Sequence, residues 1–334
     1  MDKTEQTAVM VKKAHNRIIK YIHKTPIIQL EKLNEMVSNN IYFKMDSMQI
    51  TGAFKIRGVL NFLLSMQEKA NLPSKIVGYS TGNHGLAMAY AAKMLNITAR
   101  VYLPKNVSLI KKNIAAYYGA EIIEVDTRQE AEDLALHDSL NGFTYLHPSD
   151  SDLTIAGAGT MCFEALLEMQ TMNISPDYIF APCGGGGLLA GSYLAKELLS
   201  PNAEFHGVEP LNANDAYKTL ESGSLFRFKD SPNTVADGLR ALSVSMRTLE
   251  SLKKLDRFHL VSEESILFWT AYLIQTMKQP CEPSAAISIA AAYEMIKTNN
   301  IHGKNILILI TGGNIDPEFY QKMSKMDITI NPKI

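Results

Sequence analysis

Apolar residues recur along this chain in two alternating rhythms. Between residues 7 and 22, Val9, Val11, Ala14, Ile18, Ile19 and Ile22 fall at helical spacing, and Thr25-Pro26 follows as a stop. From there short β-rich runs alternate with helical stretches. Ile41–Met45, Ile76–Tyr79, Ala99–Leu103 and Glu121–Val125 read as strands. Ile56–Met66, Leu86–Leu95 and Leu109–Tyr118 read as helices between them, and an amphipathic stretch lies near 128–140. A second series places strands at Tyr178–Pro182, Phe205–Val208 and Ile306–Ile310, a helix at Leu188–Leu199, and further helices between the later strands.

Strands that alternate with helices form parallel sheets covered on both faces. No fixed-period repeat, low-complexity tract or long Pro/Gly linker breaks the pattern. With 334 residues the chain exceeds what one core usually organises, so two domains are expected, interleaved in sequence. Asn71–Ser74 and the polar run Pro148-Ser149-Asp150-Ser151-Asp152 are the candidate crossing points.

Composition narrows the function classes. The formal net charge is -1, which argues against nucleic acid or an anionic membrane as the main partner. No apolar run reaches the length of a membrane span. Met1–Gln6 is polar, with no apolar stretch behind a basic one, so the start carries no sign of a secretory signal. Cys162, Cys183 and Cys281 are odd in number and form no CxxC pattern; they read as small buried apolar residues, and a reducing cytoplasm is the expected compartment.

Four polar or glycine-rich segments stand at the carboxyl ends of strands, where ligands lie in open α/β sheets. Thr51-Gly52-Ala53-Phe54-Lys55-Ile56-Arg57-Gly58 leads into a helix, and Lys55 sits between apolar neighbours that would lower its pKa and make it nucleophilic. A lone lysine at a helix start is more often simply solvated. Ser80-Thr81-Gly82-Asn83-His84-Gly85 offers hydroxyls and backbone N–H groups to a carboxylate, or else caps the helix that follows. Cys183-Gly184-Gly185-Gly186-Gly187-Leu188 is neither the GxGxxG dinucleotide pattern nor a P-loop, yet its glycines suit the close approach of a phosphate. Thr311-Gly312-Gly313-Asn314 is the fourth. One ligand that touches all four would need a phosphate, an amine-reactive group and polar ring atoms, and pyridoxal phosphate has these.

The joint occurrence of TGAFKIRG, STGNHG, CGGGGLLAG and TGGN resembles the tryptophan-synthase-β-like superfamily (fold type II) of pyridoxal-phosphate enzymes, in its branch of serine/threonine dehydratases and serine racemases. The resemblance runs from Thr25-Pro26 to Asn314. It implies an α/β fold of two interleaved three-layer α/β/α domains with mostly parallel sheets. Residues 1–74 with 152–334 would form the large cofactor-binding domain, and 75–151 the small domain with the substrate loop. By position, Lys55 resembles the lysine that carries the cofactor as a Schiff base. Phe54 resembles the aromatic packed on the cofactor ring, and Asn83 the donor to its phenolic oxygen. Gly184, Gly185, Gly186 and Gly187 resemble the phosphate loop, and Thr311 the hydroxyl facing the pyridine nitrogen. Gly238 and Glu282 complete the cofactor set, while Ser80, Thr81, Gly82, Asn83 and His84 resemble the loop that takes the substrate carboxylate.

In serine-racemase-like members a divalent cation (Mg²⁺, Mn²⁺ or Ca²⁺) is held by groups that correspond to Glu209, the carbonyl of Ala213 and Asp215. Read alone, these are a strand-end acid and a helix-cap aspartate. The sequence departs from the branch at Ala53, often Ser there, and at Thr311, more commonly Ser. It also departs at Ser149, where relatives often have an aromatic residue or Asn, and at Thr81. Serine racemases have a serine at that last position as the base opposite the lysine, and a β-branched Thr is stiff at χ1. The resemblance thus implies a dehydratase in which Lys55 and Thr81 are the catalytic pair, acting on a small hydroxy amino acid by β-elimination, in a homodimer. Serine racemisation and L-threo-3-hydroxyaspartate cleavage are the alternatives. A non-catalytic ligand-binding module is the rival from another class, and intact Lys55, Asn83 and Thr311 argue against it.

Overall fold

A computed structural model describes residues 3–80, 82–105 and 109–329. Its first half runs α1 (Lys3–Ile18), β1 (Ile27–Ile28), α2 (Glu31–Val37), β2 (Asn40–Met45), α3 (Lys55–Glu68), β3 (Lys75–Tyr79), α4 (Asn83–Leu95), β4 (Thr98–Pro104), α5 (Leu109–Tyr117), β5 (Glu121–Val125), α6 (Arg128–Ser139) and β6 (Thr144–Tyr145). The second half runs α7 (Asp152–Thr171), β7 (Tyr178–Pro182), α8 (Gly187–Leu199), β8 (Glu204–Pro210), α9 (Asp215–Ser222), α10 (Met246–Leu252), β9 (Arg257–Val261), α11 (Glu263–Met277), α12 (Pro283–Asn299), β10 (Asn305–Ile310) and α13 (Pro317–Ser324).

Among the described residues the strands form two sheets, ordered β1-β2-β10-β7-β8-β9 and β5-β4-β3-β6. All pairings are parallel except β1 with β2. This is the α/β architecture that the alternating pattern implies. In β10, Ile306, Ile308 and Ile310 face a core built with α11 and α12, while Leu307 and Leu309 face one built with α7 and α8. A strand buried on both faces reads as an unbroken apolar run, as Ile306–Ile310 does. The smaller sheet buries one face under α3 and α4 and the other under Ala131 and Ala135 of α6.

Helix α1 begins earlier and ends earlier than its apolar spacing suggests. Beyond Ile18 the Gln49 side chain takes over the backbone: it accepts from the His23 amide (2.9 Å) and donates to the His23 carbonyl (2.9 Å), drawing the chain out of the helix. Helix α4 starts at Asn83, not at Leu86, because Gly82 turns the chain at φ +143° and the Ser80 hydroxyl accepts the Gly82 and Gly85 amides at 2.8 and 2.9 Å.

The longest helix, α7, carries no periodic signal because it is apolar nearly all round and buried along most of its length. It crosses α8 at van der Waals distance. A Cβ on Gly191 would stand 2.1 Å from the Ile155 carbonyl, and one on Gly159 2.3 Å from the Gly191 carbonyl. Its other side holds α3 through buried charges. Arg57 donates to Asp46 at 2.6 and 2.9 Å and to Glu164 at 3.2 and 3.3 Å, and Lys44 reaches Glu164 at 2.6 Å. Two cations face two anions with no water-exposed side, and Thr25 Oγ1 donates to Asp46 as well (2.8 Å).

Candidate active site

The carboxyl ends of β2, β10, β7 and β3 converge, and the four loops beyond them enclose a cavity of about 380 Å³. Phe54, Lys55, Ser80, Asn83, His84, Gly184, Gly185, Gly186, Gly187, Gly238, Glu282 and Thr311 all line it. Thr81 lies outside the described residues. Lys55 reaches the cavity because its loop is stitched to the end of β10. Phe54 N donates to the Thr311 carbonyl (2.9 Å), Gly313 N to the Gly52 carbonyl (2.9 Å), and Ala53 bridges Gly312.

Lys55 is the first residue of α3. Its Nζ donates to the Pro148 carbonyl at 3.1 Å and lies 5.0 Å from the Phe54 ring centre. Burial, aided by the Arg128 charge and opposed by Glu282, lowers its pKa from 10.5 to about 8. His147 nearby accepts the Ser149 and Asp150 amides on Nδ1 (3.1 and 2.7 Å), which fixes its proton on Nε2. Desolvation holds it neutral, with a pKa near 4.

The glycine loop is shaped by what a side chain would strike. A Cβ on Gly185 would meet Ser149 Oγ at 2.3 Å. Gly186 has φ +80°, and a Cβ there would meet Thr248 Oγ1 at 2.7 Å. Helix α8 begins at Gly187, so its unpaired first N–H groups point at the same corner of the cavity. Gly238 closes this side, its carbonyl 3.1 Å from a Cβ on Gly184 and its own amide donating to Ser284 Oγ (2.9 Å).

Opposite, Asn83 Nδ2 donates to both oxygens of Glu282 (2.8 and 3.1 Å), while its Oδ1 accepts from Asn314 Nδ2 (2.9 Å). Lys111 enters from α5, its Cδ against Gly82, and its Nζ reaches Asp237 at 2.7 Å and Glu282 at 3.5 Å. Burial raises the Glu282 pKa, and Lys111 works against that rise. The His84 ring turns away from the turn, with Nε2 donating to the Leu146 carbonyl (2.9 Å). Its pKa falls to about 3 through burial, so this residue offers the cavity its backbone N–H and no charge.

Glu209 and Asp215 form a separate pair of buried acids behind the glycine loop, beside Cys183. Glu209 accepts the Ala216 and Tyr217 amides (3.0 and 2.9 Å), whereas neither Asp215 carboxylate oxygen has a well-formed hydrogen bond, only the weak pull of its own backbone N–H and that of Val244. Desolvation pushes Asp215 up to about 7, and desolvation with the Asp215 charge pushes Glu209 well above the carboxylate range. Ala213 is buried between them in sequence. Among the described residues no group of three or more His, Cys, Asp or Glu side chains gathers in metal-ligating geometry. The cysteines are all buried and free, and no helix is long and apolar enough to cross a membrane.

Sequence patterning misses several residues of this cavity. Arg128 stacks over the Tyr79 ring (5.4 Å) and donates to the Arg240 carbonyl (2.8 Å). Lys111, His147 and Arg227 also line it. Position offers one signal: Arg128 opens α6, three residues beyond the carboxyl end of β5.

The chain is similar over most of its length to proteins of known activity. A serine racemase of Dictyostelium discoideum is 35% identical over 92% of this chain and 94% of its own. The L-threo-3-hydroxyaspartate ammonia-lyase of Saccharomyces cerevisiae is 34% identical over 92% and 93%. The crystal structure of a threonine deaminase from T.th. superposes with a TM-score of 0.85 at 35% identity, covering 92% of this chain and 98% of that one. The profile of the family described as pyridoxal-phosphate dependent enzymes matches residues 18–312. The chain belongs to that family, whose members similar to it are lyases and racemases of amino acids.

Proposed function

We propose that the protein is an ammonia-lyase that eliminates water from L-threonine or L-serine and yields the 2-oxo acid and ammonia. The observation that carries the reading is a buried lysine near pKa 8 in a cavity whose far corner is a glycine-cradled helix N-terminus. These residues fit pyridoxal phosphate: Lys55 supplies the amine, Gly184 to Gly187 line the cavity with backbone that a phosphate can approach, and Thr311 presents a hydroxyl from the end of β10. When bound, the cofactor supplies an electron sink for charge that develops at the substrate α-carbon.

The chain's own groups do the rest. The backbone N–H groups of Asn83 and His84, at the start of α4, hold the α-carboxylate. The Asn83 side-chain N–H donates to the cofactor ring oxygen. Lys55 Nζ takes the α-proton, and its lowered pKa suits a base at neutral pH. The neutral Thr311 hydroxyl does not hold the ring nitrogen protonated as an acid would, which favours loss of the β-hydroxyl over transamination. Thr81 is the proposed second catalytic residue beside Lys55.

A second reading is supported by Arg128. Its close partners in the cavity are a carbonyl and a phenol ring, both neutral, so no ion pair stands between its charge, which also acts on Asp215, and an anion such as the β-carboxylate of L-threo-3-hydroxyaspartate. The deciding experiment follows 2-oxo acid release and the chirality of residual substrate together, for L-threonine, L-serine and L-threo-3-hydroxyaspartate. Oxo-acid formation faster than D-serine formation is expected, and Lys55→Ala should abolish both turnover and the borohydride-reducible link to the cofactor. D-serine made faster than pyruvate would overturn the reading in favour of a racemase.

Glu209, Asp215 and the Ala213 carbonyl are proposed to hold a divalent cation. The support is the unpartnered buried carboxylate of Asp215: two acids this deep repel unless a hard cation offsets them. Such an ion would brace the glycine loop from behind.

A further inference from the structure

The motif Thr311-Gly312-Gly313-Asn314 reaches the cavity through Thr311 alone, since Asn314 does not line it. Yet Asn314 is fixed tightly. Its Nδ2 donates to the Thr51 carbonyl (2.9 Å), and its Oδ1 stands where a Cβ on Gly52 would lie, 2.3 Å away. Gly52 meets it with φ +69°, a conformation that suits glycine.

A backbone carbonyl only accepts, so the Asn314 amide has one orientation in which it bonds to Thr51. The same Nδ2 then donates to Asn83 Oδ1 at 2.9 Å. Reversing the Asn83 amide would set donor against donor. Its Nδ2 is therefore forced to the cavity side, where the Glu282 carboxylate accepts it. The bonds run outward from Asn314, to Thr51 on one side and through Asn83 to Glu282 on the other, with an acceptor at each end.

We infer that Asn314 is a positioning residue: through its bond to Asn83 Oδ1 it dictates that an N–H, and not an oxygen, faces the cofactor. This rests on the reading above in which Asn83 donates to the ring oxygen of pyridoxal phosphate. Asn314 itself touches neither cofactor nor substrate.

The test is a double-mutant cycle on the holoenzyme, read by cofactor dissociation constant and by the absorption spectrum of the bound cofactor. Asn314→Asp is isosteric but has no donor, and Asn314→Ser has a hydroxyl one bond too short to reach Asn83 Oδ1. Either should weaken cofactor binding about tenfold, the size of one lost hydrogen bond, and shift the spectrum. In an Asn83→Ala background the same changes should alter affinity by less than about twofold, because the residue acted upon is gone. A full, additive loss in that background would mean Asn314 acts through the Thr51–Gly52 backbone, and would overturn the inference. If Asn83→Ala alone leaves affinity and spectrum unchanged, the role given to Asn83 falls, and this inference falls with it. Should both Asn314 variants fail to fold, as thermal unfolding would report, the residue is structural and the inference is wrong.

Discussion

Lys55 gives the clearest residue-scale prediction. Its amine must be neutral to attack an aldehyde, and its pKa in the fold is about 8, against 10.5 ordinarily. Cofactor capture by the apoprotein should therefore quicken with pH around a midpoint near 8, followed by absorbance; a midpoint near 10.5 would contradict the burial argument. The stability sign follows from the same values. Between about 8 and 10.5 the unfolded lysine holds a proton that the folded one has lost, so this group's contribution rises with pH across that window. The cation pair yields a second prediction. A divalent ion at a hundredfold excess over its dissociation constant should stabilise the fold by about 2.7 kcal/mol. Asp215→Asn should abolish that response while raising metal-free stability, since it removes one of two buried repelling acids. Thermal unfolding with chelator or with Mg²⁺, Mn²⁺ or Ca²⁺ decides it, and no shift with any of the three would remove the site. Lys55 is legible in sequence because its neighbours are apolar. Arg128 and Lys111 are not, since a charged side chain is read as solvated until tertiary structure encloses it.

Among the elements, α3 matters most, because it carries Lys55 at its first position and Arg57 two residues on. The buried charges of Lys44, Asp46, Arg57 and Glu164 lock this helix to β2 and α7. Glu164→Gln leaves the buried Lys44 and Arg57 with one buried carboxylate, Asp46, and the partly exposed Glu168 at 3.9 Å from Lys44. It should cost about 3–5 kcal/mol, the range for breaking a buried pair, measured as a fall in denaturant midpoint. A cost under about 1 kcal/mol would mean that water or rearrangement already relieves the charges. Most strands and helices follow from apolar spacing and from glycine at the turns. Helix α7 escapes that reading: without a polar face it has no period to detect, and its glycines at 157 and 159, which look like breakers, are what close packing against α3 and α8 requires.

At the scale of the molecule, the alternation of strands and helices states the α/β class but not the neighbours of each strand. Nothing local to Asn305–Ile310 says that it lies between β2 and β7, because pairing is settled by which edges remain open when the chain returns. That order has a consequence for biosynthesis. A ribosome releases β2 near the start of its work and β10 near the end, yet Ile41 stands opposite Ile306 and Met45 opposite Ile310. The smaller sheet draws all its strands from 75–145 and is free to form while translation continues. The larger one waits in two pieces, β1-β2 and β7-β8-β9, each with an unpaired edge that invites association with other nascent chains. The strand that completes the cofactor cavity is thus also the one that ends the chain's exposure to chaperones, so a polypeptide stalled before residue 305 would be both inactive and sticky.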